Sequence, residues 1–145
     1  FYGGTAPGSG KDDLNGVMFF AYDVVNKKLL YSGKDGPPRY MMLANSTGKV
    51  YYVPGSDGGF GTVVRYDPSK PQADPIKIGA QLGCRAVIQE TKDGMIYTCS
   101  KGAKGEPTMI YSFNTKTEEA QKIGPAAVGV TQYITSIDVD PTGRY

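Results

Sequence analysis

Residues 48–79 read "GKVYYVPGSDGGFGTVVRYDPSKPQADPIKIG". A turn glycine leads into a short aromatic strand, a Gly-rich loop follows, an apolar strand ends on Tyr66-Asp67, and after a polar turn a last strand closes on Gly79. The same order recurs on both sides, in residues 1–33 ("FYGG" to "LLYSG") and 96–124 ("IYTCSKG" to "AQKIG"). The anchors keep step: Tyr22, Tyr66 and Phe113 are 44 and 47 residues apart, and the closing glycines Gly33, Gly79 and Gly124 are 46 and 45 apart. A further strand and turn follow each closing glycine, in "RYMMLANSTGKVYY", "RAVIQETKDGMIYT" and "YITSIDVDPTGRY", whose turn glycines are Gly48, Gly94 and Gly143. Four short strands in a period of about 40 to 50 residues predict the blade of a β-propeller.

Composition agrees with that reading. In 145 residues there are 20 Gly, 10 Pro and 11 Tyr, with no Trp and no His, which favours many short strands joined by tight turns: an all-β class. The chain is long enough for one domain of repeats, taken as 1–50, 51–95 and 96–145. Sixteen basic and fourteen acidic residues are spread along it, so no electrostatic footprint for nucleic acid is visible. No run approaches the roughly 18 to 20 apolar residues of a membrane-spanning helix, and "VMFFAY" reads as a strand. The opening on Phe1, inside a strand pattern, is expected of a processed or partial segment.

The stretch "GTAPGSGKDD" (residues 4–13) has the look of a phosphate-binding loop and fails the test. The motif needs Gly where Thr5 stands and a hydroxyl where Asp12 stands, and the residues that follow are strand-like rather than helical. It takes the place of "GSDGG" and "SKGAKGE" and is the longest of the inter-strand loops.

Three blades do not close a ring, because propellers have about four to eight. An open arc leaves apolar faces and unpaired edges, so the expected partners are the remaining blades of a longer chain or a second copy making six.

Residues 48–79 resemble the YVTN-type β-propeller repeat at Gly48, Tyr52, Val53, Val63, Val64, Asp67, Ile76, Ile78 and Gly79. The following period departs from it, with "YTCS" and "FNTKT" in place of "YVPG" and "YDPSK". The resemblance implies the fold, and an extracellular or periplasmic setting, more than any activity.

Few residues are placed to do chemistry. Without His there are no His-based triads or His metal ligands in this segment. Cys84 and Cys99 flank a hairpin with the turn "TKDG". A register in which Glu90 faces Met95 puts Cys99 opposite Ala86, two residues from Cys84, as diagonal neighbours on one face. They are candidates for a disulfide, which implies an oxidising compartment, or for two small buried thiols. Asp23, Asp67 and Asn114 precede polar turns and are expected to cap backbone N–H groups two residues on. Asp138 and Asp140 have a spacing suited to a shared cation such as calcium. Asp140, however, precedes Pro-Thr-Gly and reads most simply as a turn former, and calcium takes about six to eight oxygens. No other cofactor is implied.

Arg39 and Arg85 sit at the same distance before their turn glycines, where the innermost strand of a blade begins. There an arginine presents a planar fork to a carboxylate or phosphate in the channel, or pairs with a neighbouring blade. Ile134 takes that place in the third period, and Tyr40 and Tyr133 would add an aromatic rim. The function expected is a secreted or periplasmic module that binds a protein or small ligand, or is structural, with no catalytic constellation visible. The alternative is a propeller hydrolase or lyase resembling gluconolactonases or streptogramin lyases, whose catalytic residues would lie mostly in blades absent from this segment. Fold alone does not decide between the two.

Overall fold

The computed structural model describes residues 1–5, 17–55, 60–100, 105–129, 134, 136–140 and 142. They contain eleven strands and no helix, and so no helix long and apolar enough to cross a membrane. The strands form three antiparallel sheets in chain order: β1 (Tyr2–Gly4), β2 (Met18–Asp23) and β3 (Lys28–Lys34); then β4 (Met42–Leu43), β5 (Val50–Tyr52), β6 (Phe60–Tyr66) and β7 (Ile76–Gly83); then β8 (Ala86–Val87), β9 (Met95–Cys99), β10 (Met109–Asn114) and β11 (Glu119–Pro125). Within each sheet neighbours in sequence are neighbours in space. The periods 1–50, 51–95 and 96–145 cut the hairpins β4–β5 and β8–β9 near their turns, whereas the sheets break the chain between β3 and β4 and between β7 and β8.

The turns follow from their residues. Asp23 Oδ1 accepts from the N–H groups of Val25 and Asn26, Asp67 Oδ1 from Ser69, and Asn114 Oδ1 from Lys116 and Thr117. These three Asx caps are the ones expected from the sequence, and they close the hairpins β2–β3, β6–β7 and β10–β11. The turn glycines Gly48 and Gly94 have φ of +72° and +89°, a region where a side chain strains the backbone.

Period-two alternation decides which way each side chain points. On β5 and β6, Val50, Tyr52, Val64 and Tyr66 face the first sheet and pack with Phe19 and Ala21. Tyr51, Val53 and Val63 face the third sheet and pack with Ile96, Tyr111 and Phe113. The middle sheet is thus buried on both faces, which is why its central strands read as near-continuous apolar runs. Gly83 marks the passage from the second sheet to the third: a Cβ there would lie 2.3 Å from Ser100 Cα, so the two backbones approach as closely as they do only without one.

One expected strand is not seen among the described residues. Residues 136–140 belong to no ladder, although "YITSIDVDPTGRY" has the pattern of the stretches that give β4 and β8. The hairpin partner that β5 and β9 supply to β4 and β8 would begin just after Gly143, outside the described residues.

Candidate functional site

The residues before β4 and β8 are the first place to look for a site. Arg39 is exposed and Arg85 is 6% exposed, so two residues in the same place of the repeat have opposite surroundings. Tyr40 is half-buried against the core between the second and third sheets, and its carbonyl accepts the Cys84 thiol at 3.8 Å. That contact ties the residues before β4 to the crossover that leads to β8. Tyr133 lies outside the described residues, and Ile134 is half-buried.

The hairpin register expected for the cysteines is the one observed, with Ala86 opposite Cys99. Cys84 lies beyond that ladder, in the crossover, so the pleat count from Ala86 does not fix its side. It joins the core between the second and third sheets, while Cys99 lines a cavity on the other face of the third sheet. Both are free thiols. Burial pushes the Cys84 thiol up to about 12, against a hydrogen bond with Thr98, and burial also raises Cys99. Protonated buried thiols are poor nucleophiles and poor metal ligands.

The acidic candidates are occupied in turns. Asp138 Oδ1 accepts from the N–H of Val139, and Asp140 Oδ2 from the N–H and hydroxyl of Thr142, as a turn former does. Among the described residues, no three His, Cys, Asp or Glu side chains come together in a group able to hold a metal ion.

The strongest polar constellations join the second sheet to the third. Glu118, at φ +60° in the β10–β11 turn, accepts from Arg65 Nη1 at 2.7 Å and from the Tyr51 hydroxyl at 2.9 Å, with Lys49 Nζ 3.5 Å away. Glu90 accepts from the N–H of Ser46 at 2.7 Å, its hydroxyl at 2.6 Å, and the hydroxyl of Thr115 at 2.5 Å. Burial pushes both carboxyls up. Hydrogen bonds from Arg65 and Tyr51 to Glu118, and from Ser46 and Thr115 to Glu90, outweigh it, so both lie below the usual glutamate range. Burial and the Glu118 carboxylate in turn raise the Tyr51 phenol. Carboxylates held ionised by fixed donors are anchors rather than proton donors, because a general acid at neutral pH needs a raised pKa.

Neither glutamate was singled out from the sequence. One signal was present: Arg65 interrupts the apolar run of "GTVVRY" on a face that alternation sends inward, and a buried arginine needs a carboxylate.

Two of the open cavities lie against the sheets' apolar faces or seams. One, of about 540 Å³, lies at the seam of the first two sheets, with Tyr31, Tyr52, Lys34, Lys77 and Asp74 among its lining. The other, of about 390 Å³, lies against the outer face of the third sheet, between Ile88, Tyr97, Cys99 and Ile110 and the segment bearing Ile137 and Val139. No protein-family model matches this chain, and no curated protein matches it.

Proposed function

We propose that the chain is an arc of a β-propeller that serves as a ligand-binding or protein-binding or structural module, in an extracellular or periplasmic setting. The observation that carries the reading is the serial stacking of three antiparallel sheets, the second and third of which begin with a strand of only two residues. The middle sheet presents alternate residues of β5 and β6 to its two neighbours. A propeller is such a stack fanned about an axis, with the first strand of each sheet innermost.

The setting rests on the YVTN-type resemblance; the free thiols of Cys84 and Cys99 lend it no support through a disulfide. The polar constellations act in this reading as sheet-to-sheet ties. In this reading Arg39, exposed just before β4, lies on the channel side and buried Arg85 is part of the frame, and both already make interactions within the chain.

Spin-label distances test the fan. Leu43 and Gln89 are exposed and equivalent near the inner strands, and Lys77 and Lys122 are exposed and equivalent on β7 and β11. A propeller arc requires the Lys77–Lys122 separation to exceed that of Leu43–Gln89 clearly. Equal separations would mean flat stacking and would sink the reading.

A further inference from the structure

Tyr52 carries a hydroxyl that the described fold does not use. Tyr31, Tyr51 and Tyr66 donate theirs to Asp74, Glu118 and the Pro71 carbonyl. Tyr52, next to Tyr51 in β5, is 1% exposed, and its hydroxyl donates to none of the described residues. Burial, and then the neighbouring Tyr31 and Asp35, push its phenol well up, so it remains a donor at neutral pH. A buried hydroxyl without an acceptor costs stability, and a buried Tyr normally has one. There is room for that acceptor, because Tyr52 lines the open cavity of about 540 Å³ at the seam of the first two sheets, a volume in the range of ligand pockets.

The polar groups around this cavity are held from several sides. Tyr31, whose ring packs on Phe19 and Tyr66, gives its hydroxyl to Oδ1 of Asp74. Asp35 stands at φ +59°, and the Gly36 peptide after it is bonded twice: its N–H donates to the Val17 carbonyl and its carbonyl accepts from the Gly55 N–H. A residue other than glycine keeps that conformation where its surroundings over-determine it, and such residues gather at ligand sites. Lys34 and Lys77 complete the set, so two cations and two anions border one space. The second seam uses the same places differently. Thr98 stands for Tyr52 and donates to the Gly83 and Ala86 carbonyls, and Tyr111 stands for Val64 and packs on Phe60. The open space belongs to the first seam and not to the repeat.

We propose that this cavity binds a neutral polyhydroxylated ligand, a saccharide, with Tyr52, Lys34 and Lys77 as donors, Asp35 and Asp74 as acceptors and the Tyr31 ring as an apolar wall. A sugar hydroxyl both gives and accepts hydrogen bonds, so its site needs both kinds of group in balance. A small anion would meet two carboxylates as well as two ammonium groups, and a cation the reverse, and like charges brought together select against either. The inference rests on the ligand-binding arm of the function proposed above and gives it a place and a chemical class. It depends on the seam and not on the sheets being fanned.

The test is an NMR titration of the 145-residue chain with neutral methyl glycosides of hexoses and N-acetylhexosamines, and in parallel with inorganic phosphate. Saturable binding of at least one glycoside is expected, with shifts in the ring signals of Tyr31 and Tyr52. Tyr52→Phe should weaken it about tenfold, as the loss of one buried donor does, and should leave the stability of the free protein unchanged or raised. Asp35→Asn should also weaken it. Lys122→Ala, at the place of Lys77 in the third sheet, should have no effect. The proposal is overturned if no glycoside binds, if Tyr52→Phe leaves the affinity intact, or if phosphate binds in preference, which would mean that the lysines act alone. A free Tyr52→Phe protein less stable than the parent would mean that the hydroxyl has a partner within the chain, and would overturn it at its root. The spin-label distances stand apart from these outcomes. If they show a fan and no glycoside binds, the saccharide site fails and the propeller stands; if a glycoside binds and the separations are equal, the propeller fails and the site stands.

Discussion

The seam between the first and second sheets and the seam between the second and third use the same positions of the repeat and are held in different ways. In the first, Phe19 stacks on Tyr52 with ring centroids 5.0 Å apart and meets Tyr66 edge-on at 5.1 Å, while Tyr31 and Tyr2 close on Tyr66 at 5.6 and 6.0 Å. In the second, Tyr51 meets Phe113 at 4.9 Å and Phe60 meets Tyr111 at 5.7 Å, and the carboxylates of Glu90 and Glu118 add a charged border. A repeat therefore fixes where a contact is made and leaves open what makes it. Aromatic area is non-directional and tolerates salt and acid; hydrogen-bonded carboxylates set angle and register and are sensitive to both.

The largest effects come from the aromatic centres. Phe19→Ala and Phe113→Ala each remove a fully buried ring and should cost about 3 to 5 kcal/mol by denaturant unfolding. Phe19→Ala is expected at the upper end because its ring serves three aromatic partners, Tyr31, Tyr52 and Tyr66; a clearly larger loss for Phe113→Ala would break the contrast between the seams. Next is Glu118→Gln, which leaves the half-buried Arg65 without its anion and should cost about 1.5 to 3 kcal/mol, less at high salt. A loss unaffected by salt would mean that the second seam is as apolar as the first.

Tyr31→Phe removes the hydroxyl that Asp74 accepts across the first seam at 3.1 Å, and should cost only about 0.5 to 1.5 kcal/mol. The smallest signal at any one pH is the acid response. The folded-state pKa values of Glu90 and Glu118 are depressed, so their contribution is complete above the unfolded glutamate value of about 4.3 and is lost as pH falls through the folded values. The Glu90→Gln, Glu118→Gln double variant should flatten the acid limb of the stability curve. The slope that persists would come from turn carboxylates such as Asp23 and Asp67, which are also depressed.

Much of this arrangement was legible in the sequence. The Asx caps were, because an Asp or Asn before a polar turn acts on N–H groups two or three residues away. The β8–β9 register was, because the turn "TKDG" is short and fixes pairing within a few residues. The side on which Cys84 lies was not, since the crossover breaks the alternation between Gly83 and Ala86. Nor were Glu118 and Glu90, which reach partners 44 to 67 residues away in another sheet.

The sequence by itself determined an all-β chain, its strand order, its hairpin turns and the faces on which its aromatic residues fall, since all of these follow from φ/ψ preference and a period of two over neighbouring residues. The tertiary structure alone decided that Arg39 is exposed and Arg85 buried, that Glu118 is the counter-ion of Arg65, and that the third sheet keeps an open apolar face. Those facts depend on which sheet lies against which, and burial and ion pairing are properties of the packed surfaces, not of the strand that carries the residue.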